Sequence, residues 1–344
     1  MKTRFFILFV CFTLLACSLF SPLPPPDAPL VQVEILTGKK PGAPEETPIV
    51  PTATPEEILL DSAGDGIVQP ATVARPDFPP PSVEPVIALP PLAEVIPQAS
   101  GTVNVLLLGS DARGPFGGQR TDTLLMVSFH PKRGKVSVIS FPRDLYVYIP
   151  GWTVRRINEA YQYGGFEALA DTFDYNFGLR PTYFVMVNFE AFQQAVDNLG
   201  GIDVQVAQAL REGKNSVKPG LVHMDGEMAL WYVRSRYTSS DFDRMRRQQE
   251  VLVALFGRMI SLNALEKVPQ MYQLYGESVT TNIRLQEALA WSGVARRIAE
   301  DAETIQSLTI GRDLVTPYRT PAGAQVLLPN NQAIWERLYE MLVQ

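Results

Sequence analysis

The chain has 344 residues, 46% hydrophobic and 19% charged, an ordinary balance for a globular protein. Its formal net charge of −6 argues against a nucleic-acid coat protein, which needs a basic footprint. The two cysteines, Cys11 and Cys17, both lie near the N-terminus, so no disulfide or thiol chemistry is expected downstream.

The N-terminus reads MKTRFFILFVCFTLLACSLF. Lys2 and Arg4 precede a short apolar run, Phe5 to Leu15, the pattern of a secretory signal and too short for a comfortable membrane span. Leu14-Leu15-Ala16-Cys17 resembles a bacterial lipobox, which makes Cys17 the candidate lipidation site. An ordinary cleaved signal or an uncleaved single anchor is the alternative. Residues 1–20 are therefore read as signal with lipobox. Nineteen of the 29 prolines fall between Ser21 and Ser100, so residues 21–100 read as a disordered Pro-rich tether.

From Thr102 the pattern changes. VNVLLLGSDAR is a continuous apolar run ending in polar residues, as expected of a buried strand. TDTLLMVSFHP and KVSVISFPRDLYVYIP are two more β-rich runs, joined by the turn-like PKRGK. INEAYQYGGFEALADTFDYNFG reads as helical segments interrupted at Gly164-Gly165. A strand YFVMVNF, a helix FEAFQQAVDNLGG stopped by glycine, and a strand IDVQV follow. DGEMALWYV begins as a short helix, with Arg234 and Arg236 placed in an extended run after it, and DFDRMRRQQEVLVALFGRMI is a long helix. A late helix, a strand fragment and a terminal helix close the chain. Strands and helices alternate throughout, so residues 101–344 are expected to form one α/β domain, a central sheet between helices.

Several chemistries lack the residues they need. His130 and His223 are the only histidines and stand in no metal-ligand spacing. No GxSxG elbow is present, and GSDARG lacks the GK[ST] ending of a Walker loop. What remains is acidic and arginine chemistry at strand ends: Asp111 and Arg113 after the first strand, Arg120 and Asp122 opening the second, Arg143 and Asp144 after the third. Ligands of α/β sheets gather outside strand ends. Carboxylates suit a Mg²⁺ ion and guanidinium forks suit phosphate oxygens. Surface salt bridges are the bland alternative.

A second cluster lies in WYVRSRYTSSDFDRMRRQQEVLVAL. Arg244, Arg247 and Gln248 sit at i, i+3 and i+4 and share one helix face, whereas Arg246 faces elsewhere. Asp241 and Asp243 favour the helix N-terminus. No lysine occurs from Leu221 to Leu265, unlike a merely solvated helix, so Arg234, Arg236, Arg244, Arg247 and Gln248 are candidate ligand contacts.

LLLGSDAR, the RTDTLL…SFPRDLYVYIPG block, RINEAYQYGG, DNLGGIDVQV, RSRYTSSDFDRMRRQQ and a late AGAQVLLPN occur in this order. Together they resemble the LytR–CpsA–Psr family of exported cell-wall enzymes, densely from Val103 to Leu255 and more thinly beyond. The resemblance implies a single α–β–α sandwich domain with a central mixed sheet. It implies a phosphotransferase that moves a glycan phosphate from a polyprenyl-pyrophosphate-linked glycan to peptidoglycan, with Mg²⁺ or Mn²⁺. Asp111 and Asp122 would then be metal-side carboxylates, and Asp144 or Asp122 the base, with Arg143 beside them. Arg113, Arg120, Arg143, Arg156, Asn158, Arg234, Arg236, Arg244, Arg247 and Gln248 would bind pyrophosphate and sugar. Arg156-Ile157-Asn158 matches a block where the family often has Lys-Ile-Asn. Asp243 stands where the motif commonly has glycine, and is read as part of a helix cap. A pyrophosphatase acting on the same lipid, or a non-catalytic binder of anionic wall polymer, are the rival functions; nucleic acid is not a partner. The protein is expected at the extracytoplasmic membrane face, held by its N-terminal lipid.

Overall fold

The computed structural model describes residues 75, 77–110, 120–130, 136–235, 240–261, 279–291 and 305–343. Cys17, Asp111, Arg113 and Arg236 lie outside the described residues.

The apolar runs that open the domain become β1 (Val103–Ser110), β2 (Thr121–Phe129) and β3 (Val136–Phe141), consecutive antiparallel neighbours. Side chains alternate between faces of a strand, so a strand apolar at nearly every position needs cover on both sides. Val105, Leu107, Leu125, Val127, Val136 and Val138 enter one core; Leu106, Leu108, Leu124, Met126, Ile139 and Phe141 enter the other. Three more strands complete the sheet: β6 (Tyr183–Val187), parallel to β1; β11 (Val279–Thr281), antiparallel to β6; and β12 (Ile305–Thr309), parallel to β3. The sheet is therefore mixed, in the order β11-β6-β1-β2-β3-β12.

The second core is covered by α1 (Ala160–Phe177) and the terminal helix α6 (Asn331–Val343), with Phe173 and Phe177 packed on Phe141. Gly164 and Gly165 are non-helical inside α1, where the sequence places an interruption. The first core is covered by α2 (Phe189–Asn198), α3 (Gly226–Arg234) and α4 (Asp241–Ser261). Asn188 and Asp225 cap α2 and α3 by accepting from the backbone N–H three residues on. A short helix α5 spans 285–291. Smaller hairpins pair β4 (Tyr146–Ile149) with β5 (Thr153–Arg156), β7 (Ile202–Val206) with β10 (Gly220–Met224), β8 (Leu210–Glu212) with β9 (Asn215–Val217), and β13 (Val315–Arg319) with β14 (Gln325–Pro329).

The β-rich run KVSVISFPRDLYVYIP breaks at Pro142, which leaves Arg143 and Asp144 after β3, and β4 leaves the main sheet to pair with β5. Two expectations are corrected. Arg234 is not extended but ends α3, because the i−4 bonding continues through Ser235, whose N–H donates to Trp231 O. The tether boundary at residue 100 is also displaced, since residues 77–100 lie against the domain. Ala93 and Ile96 donate to the carbonyls of Tyr175 and Gly178, and Val83 to that of Trp152. Ile87 and Ile96 enter the cores, and Arg75 reaches Asp174 at 2.6 Å. Proline removes donors but not carbonyls, and Tyr148 and Tyr175 donate to the carbonyls of Pro79 and Pro90.

Gly178 makes this docking possible. It ends α1 with φ of 64°, and a Cβ there would stand 1.7 Å from the carbonyl oxygen of Glu94. Gly178→Ala is therefore expected to cost more than about 1 kcal/mol in urea unfolding. It should also make residues 77–98 newly sensitive to limited proteolysis.

Candidate active-site cleft

The open end of the sheet is made by the C-terminal ends of β1, β3 and β6 and the start of β2. A cleft of about 1360 Å³ opens there, walled by α2, α3 and α4. Its inner part is lined by Leu107, Leu125, Val185, Phe192, Val251, Leu252 and Leu255. Arg120, Asp122, Arg143, Asp144, Arg156, Asn158, Arg234, Arg244 and Gln248 also line it. The cleft is thus amphiphilic, one region aliphatic and one rich in guanidinium and carboxylate.

Arg143 organises the charged region. Its Nη1 donates to Asp122 Oδ1 at 2.7 Å, and its Nε stands 3.5 Å from Asp144 and 3.7 Å from Asp241. Burial works against its positive charge, but Asp122, Asp144 and Asp241 together outweigh it and raise the Arg143 pKa above the ordinary value. Asp144 also holds Arg156 Nε at 3.0 Å, while Arg156 Nη2 donates to Gln325 O. Asp241 holds Arg244 Nη2 at 2.6 Å, and Arg244 also donates to the backbone carbonyl of Asp122 at 3.4 Å. One ladder of alternating charge therefore runs Arg156–Asp144–Arg143–Asp241–Arg244, with Asp122 on its cleft side. Its carboxylates hold the guanidiniums in place and offset the mutual repulsion of the cations.

The start of α4 aims Arg244. Ser240 Oγ accepts from Asp243 N–H at 3.2 Å, and Asp243 Oδ2 accepts from Ser240 N–H at 2.8 Å, a reciprocal capping box. Gln248, one turn beyond Arg244, donates to Thr123 Oγ1 at 2.9 Å. Gly109 of β1 faces Thr123, and a Cβ there would meet its hydroxyl at 2.9 Å. Arg234, at the end of α3, lies over the Phe189 ring at 4.0 Å.

The sequence matches the profile of the LytR_cpsA_psr family over residues 83–340. The chain belongs to this family. It is 35% identical over 190 residues to a polyisoprenyl-teichoic acid–peptidoglycan teichoic acid transferase, TagU, of Oceanobacillus iheyensis. That match covers 53% of this chain and 59% of the relative, so the chain spans less than two thirds of the relative's length. The crystal structure of B. subtilis TagV is similar at a TM-score of 0.61 and 28% identity, over 71% of this chain and 98% of that one. A structure of TagT bound to LI-WTA is similar at a TM-score of 0.56 and 27% identity, over 71% and 92%.

Within this LytR–CpsA–Psr domain, Arg120, Asp122, Arg143, Asp144, Arg156, Asn158, Arg234, Arg244 and Gln248 converge on one cleft. Arg247 does not line it. Its side chain is 2% exposed and donates to the carbonyls of Tyr232 and Ser235, so it clamps the end of α3 to α4. Burial lowers its pKa, which fits a guanidinium placed for structure. Shared helix face put Arg247 with Arg244, and both are buried; their partners separate them, backbone carbonyls for Arg247 and Asp241 at the cleft for Arg244. Arg246 points away, as the helical spacing requires: it pairs with Glu250, which accepts from Tyr232 OH. Asp241, read from sequence only as a helix-start charge, joins Arg143 to Arg244; its spacing of three before Arg244 was the available signal. Thr123 had no sequence signal, because only the strand pairing brings it to Gln248.

The Asp243 carboxyl is held below the usual carboxylate range by Ser240, whose hydroxyl and N–H both donate to the ionised form. Its stabilising contribution is therefore present above the unfolded pKa and lost as pH falls through the folded one. Asp243→Ala is expected to lower stability at neutral pH by about 1 kcal/mol. The difference from the unsubstituted chain should vanish in acid when denaturant midpoints are followed against pH.

Proposed function

We propose that the chain is an extracytoplasmic phosphotransferase. It moves a glycan phosphate from a polyprenyl-pyrophosphate-linked polymer to peptidoglycan; the name of the TagU relative describes, for that protein, teichoic acid transfer between a polyisoprenyl carrier and peptidoglycan. The observation that carries this reading is the joining of an aliphatic lane to an arginine–aspartate ladder in one cleft. The natural ligand of such a cleft is a long apolar chain with a pyrophosphate head.

In the proposed reaction a peptidoglycan hydroxyl oxygen attacks the phosphorus that bears the glycan. A new P–O bond forms, the pyrophosphate P–O–P link breaks, and polyprenyl monophosphate leaves. Asp144 or Asp122 takes the hydroxyl proton. Arg143, Arg244, Arg156, Arg120 and Arg234 bind the phosphate oxygens and stabilise the charge that shifts onto the leaving phosphate. Phosphoryl transfer is mostly positioning and charge neutralisation, so no histidine is required.

Among the described residues no group of three His, Cys, Asp or Glu side chains could hold a metal. Mg²⁺ typically binds through one or two carboxylates, waters and substrate phosphates, and Asp122 at the cleft offers the hard oxygen this needs. Asp122, with Asp111 as its sequence-assigned companion, would hold Mg²⁺ or Mn²⁺, and the ion would neutralise phosphate charge. Attachment through Cys17 belongs to the same reading; among the described residues no helix is long and apolar enough to cross a membrane.

The test is transfer of labelled glycan from a polyprenyl-pyrophosphate donor to peptidoglycan oligomers. Arg143→Ala is expected to cut the rate at least ~100-fold with little change in unfolding midpoint. Arg180→Ala, in a surface ion pair with Glu167, should leave it unchanged. Release of label to water instead of peptidoglycan would assign a pyrophosphatase. No turnover of the donor by the unsubstituted chain would exclude both enzymes.

A further inference from the structure

The strap of residues 77–100 carries a pattern that the catalytic reading does not use. Ile87, Pro90, Ala93 and Ile96 turn towards the domain, every third residue. Val83, Val86, Leu89, Leu92 and Val95 recur with the same period and are 49, 57, 38, 48 and 48% exposed. A period of three is that of a polyproline-type chain, here with bends at 82–83 and 86–87. The outward row of such a chain is normally polar, and an aligned aliphatic stripe marks a contact surface. Among the described residues the other exposed large hydrophobics, Tyr163, Leu221 and Leu289, form no comparable row.

Both ends of the stripe carry tryptophan. Trp152 accepts the Val83 N–H at its carbonyl and stacks on the exposed Tyr163 ring at 4.8 Å, with Arg155 over its face. Trp335 donates its indole N–H to the Glu94 carbonyl at 2.9 Å. Amphipathic rings of this kind favour the boundary between lipid chains and water. Residues 77–98 contain three acids, Asp77, Glu84 and Glu94, and no cation, so the attraction is apolar and not electrostatic. Upstream in the same chain stands the apolar run Phe5 to Leu15.

We propose that the stripe Val83–Val86–Leu89–Leu92–Val95, bracketed by Trp152 and Trp335, is the edge by which the domain lies on a lipid bilayer. The aliphatic side chains enter the upper acyl region and the indoles sit among the head groups. This rests on the reading of a membrane-borne polyprenyl donor, since the stripe fixes how the domain approaches the surface in which that donor is embedded.

The experiment reconstitutes the full chain in phosphatidylcholine vesicles containing acyl-brominated lipid and reads quenching of tryptophan fluorescence. Quenching is expected, and Trp152→Phe with Trp335→Phe should remove the quenched component, leaving Trp231 and Trp291 unaffected. Val86→Asn with Leu89→Asn and Leu92→Asn should abolish most of it at an unchanged melting temperature. If that variant does not fold, Leu89→Ser carries the same expectation at smaller amplitude. Adding phosphatidylglycerol should not increase the quenching. Quenching that persists in the stripe variants overturns the proposal, as does conversion of a dimer to a monomer by those variants, which would assign the stripe to a second copy. Transfer measured in detergent with a short-chain donor separates the two readings. Stripe variants should retain the full rate there. Stripe-dependent quenching without any transfer would sink the enzymatic reading alone, and transfer without stripe-dependent quenching would sink the docking alone.

Discussion

Burial of β1, β2 and β3 on both faces is the constraint from which the rest of the molecule follows. A strand covered on two sides leaves almost no room for ionised side chains, because removing a charge from water without a partner is prohibitive. Charges are therefore pushed to the strand ends. Arg120 and Asp122 at the start of β2, and Arg143 and Asp144 after β3, meet because adjacent strands run antiparallel. The site is a consequence of the sheet's direction as much as of its residues.

Three arginines within one turn of α4 show how the available partners assign role. Arg244 reaches the cleft and is held by Asp241; Arg247 is fully buried and binds backbone carbonyls; Arg246 joins Glu250 and Tyr232. Burial and the hydrogen bond to Glu250 both favour the neutral phenol, so the Tyr232 pKa is raised well above its ordinary value and the hydroxyl remains a donor. The buried contacts of Arg247 and Tyr232 fix α3 against α4, so Arg234 and Arg244 face the cleft from two helices whose spacing is set behind them. Carboxylates in the ladder do similar work in front, preorganising guanidiniums that would otherwise repel one another.

The strap extends the domain beyond the point where the composition changes. Its prolines leave few free donors, and the N–H groups of Val83, Ala93 and Ile96 and the carbonyls of Pro79, Pro90 and Glu94 find partners in the β4–β5 turn, the α1 end, Tyr148, Tyr175 and Trp335. A Pro-rich segment can thus be a packed element when its carbonyls find donors and every third side chain finds a core. Composition alone reads the same residues as tether.

Periodicity determined the α/β class and a single domain with a central sheet, because two-sided burial and capping leave direct marks on residue order, and the motifs carried the family resemblance that implied a mixed sheet and Arg156. Strand ends and helix faces, which are local properties, placed Asp122, Arg143, Asp144 and Arg244 among the candidates. Only the tertiary structure decided that Arg247 is a clamp, that Asp241 bridges two cleft arginines, and that of the core residues Leu107 and Val251 also line the cleft while Val105 and Phe256 do not. Those distinctions depend on which groups from other elements meet each side chain once helices cover the sheet, and no spacing within a single element encodes that.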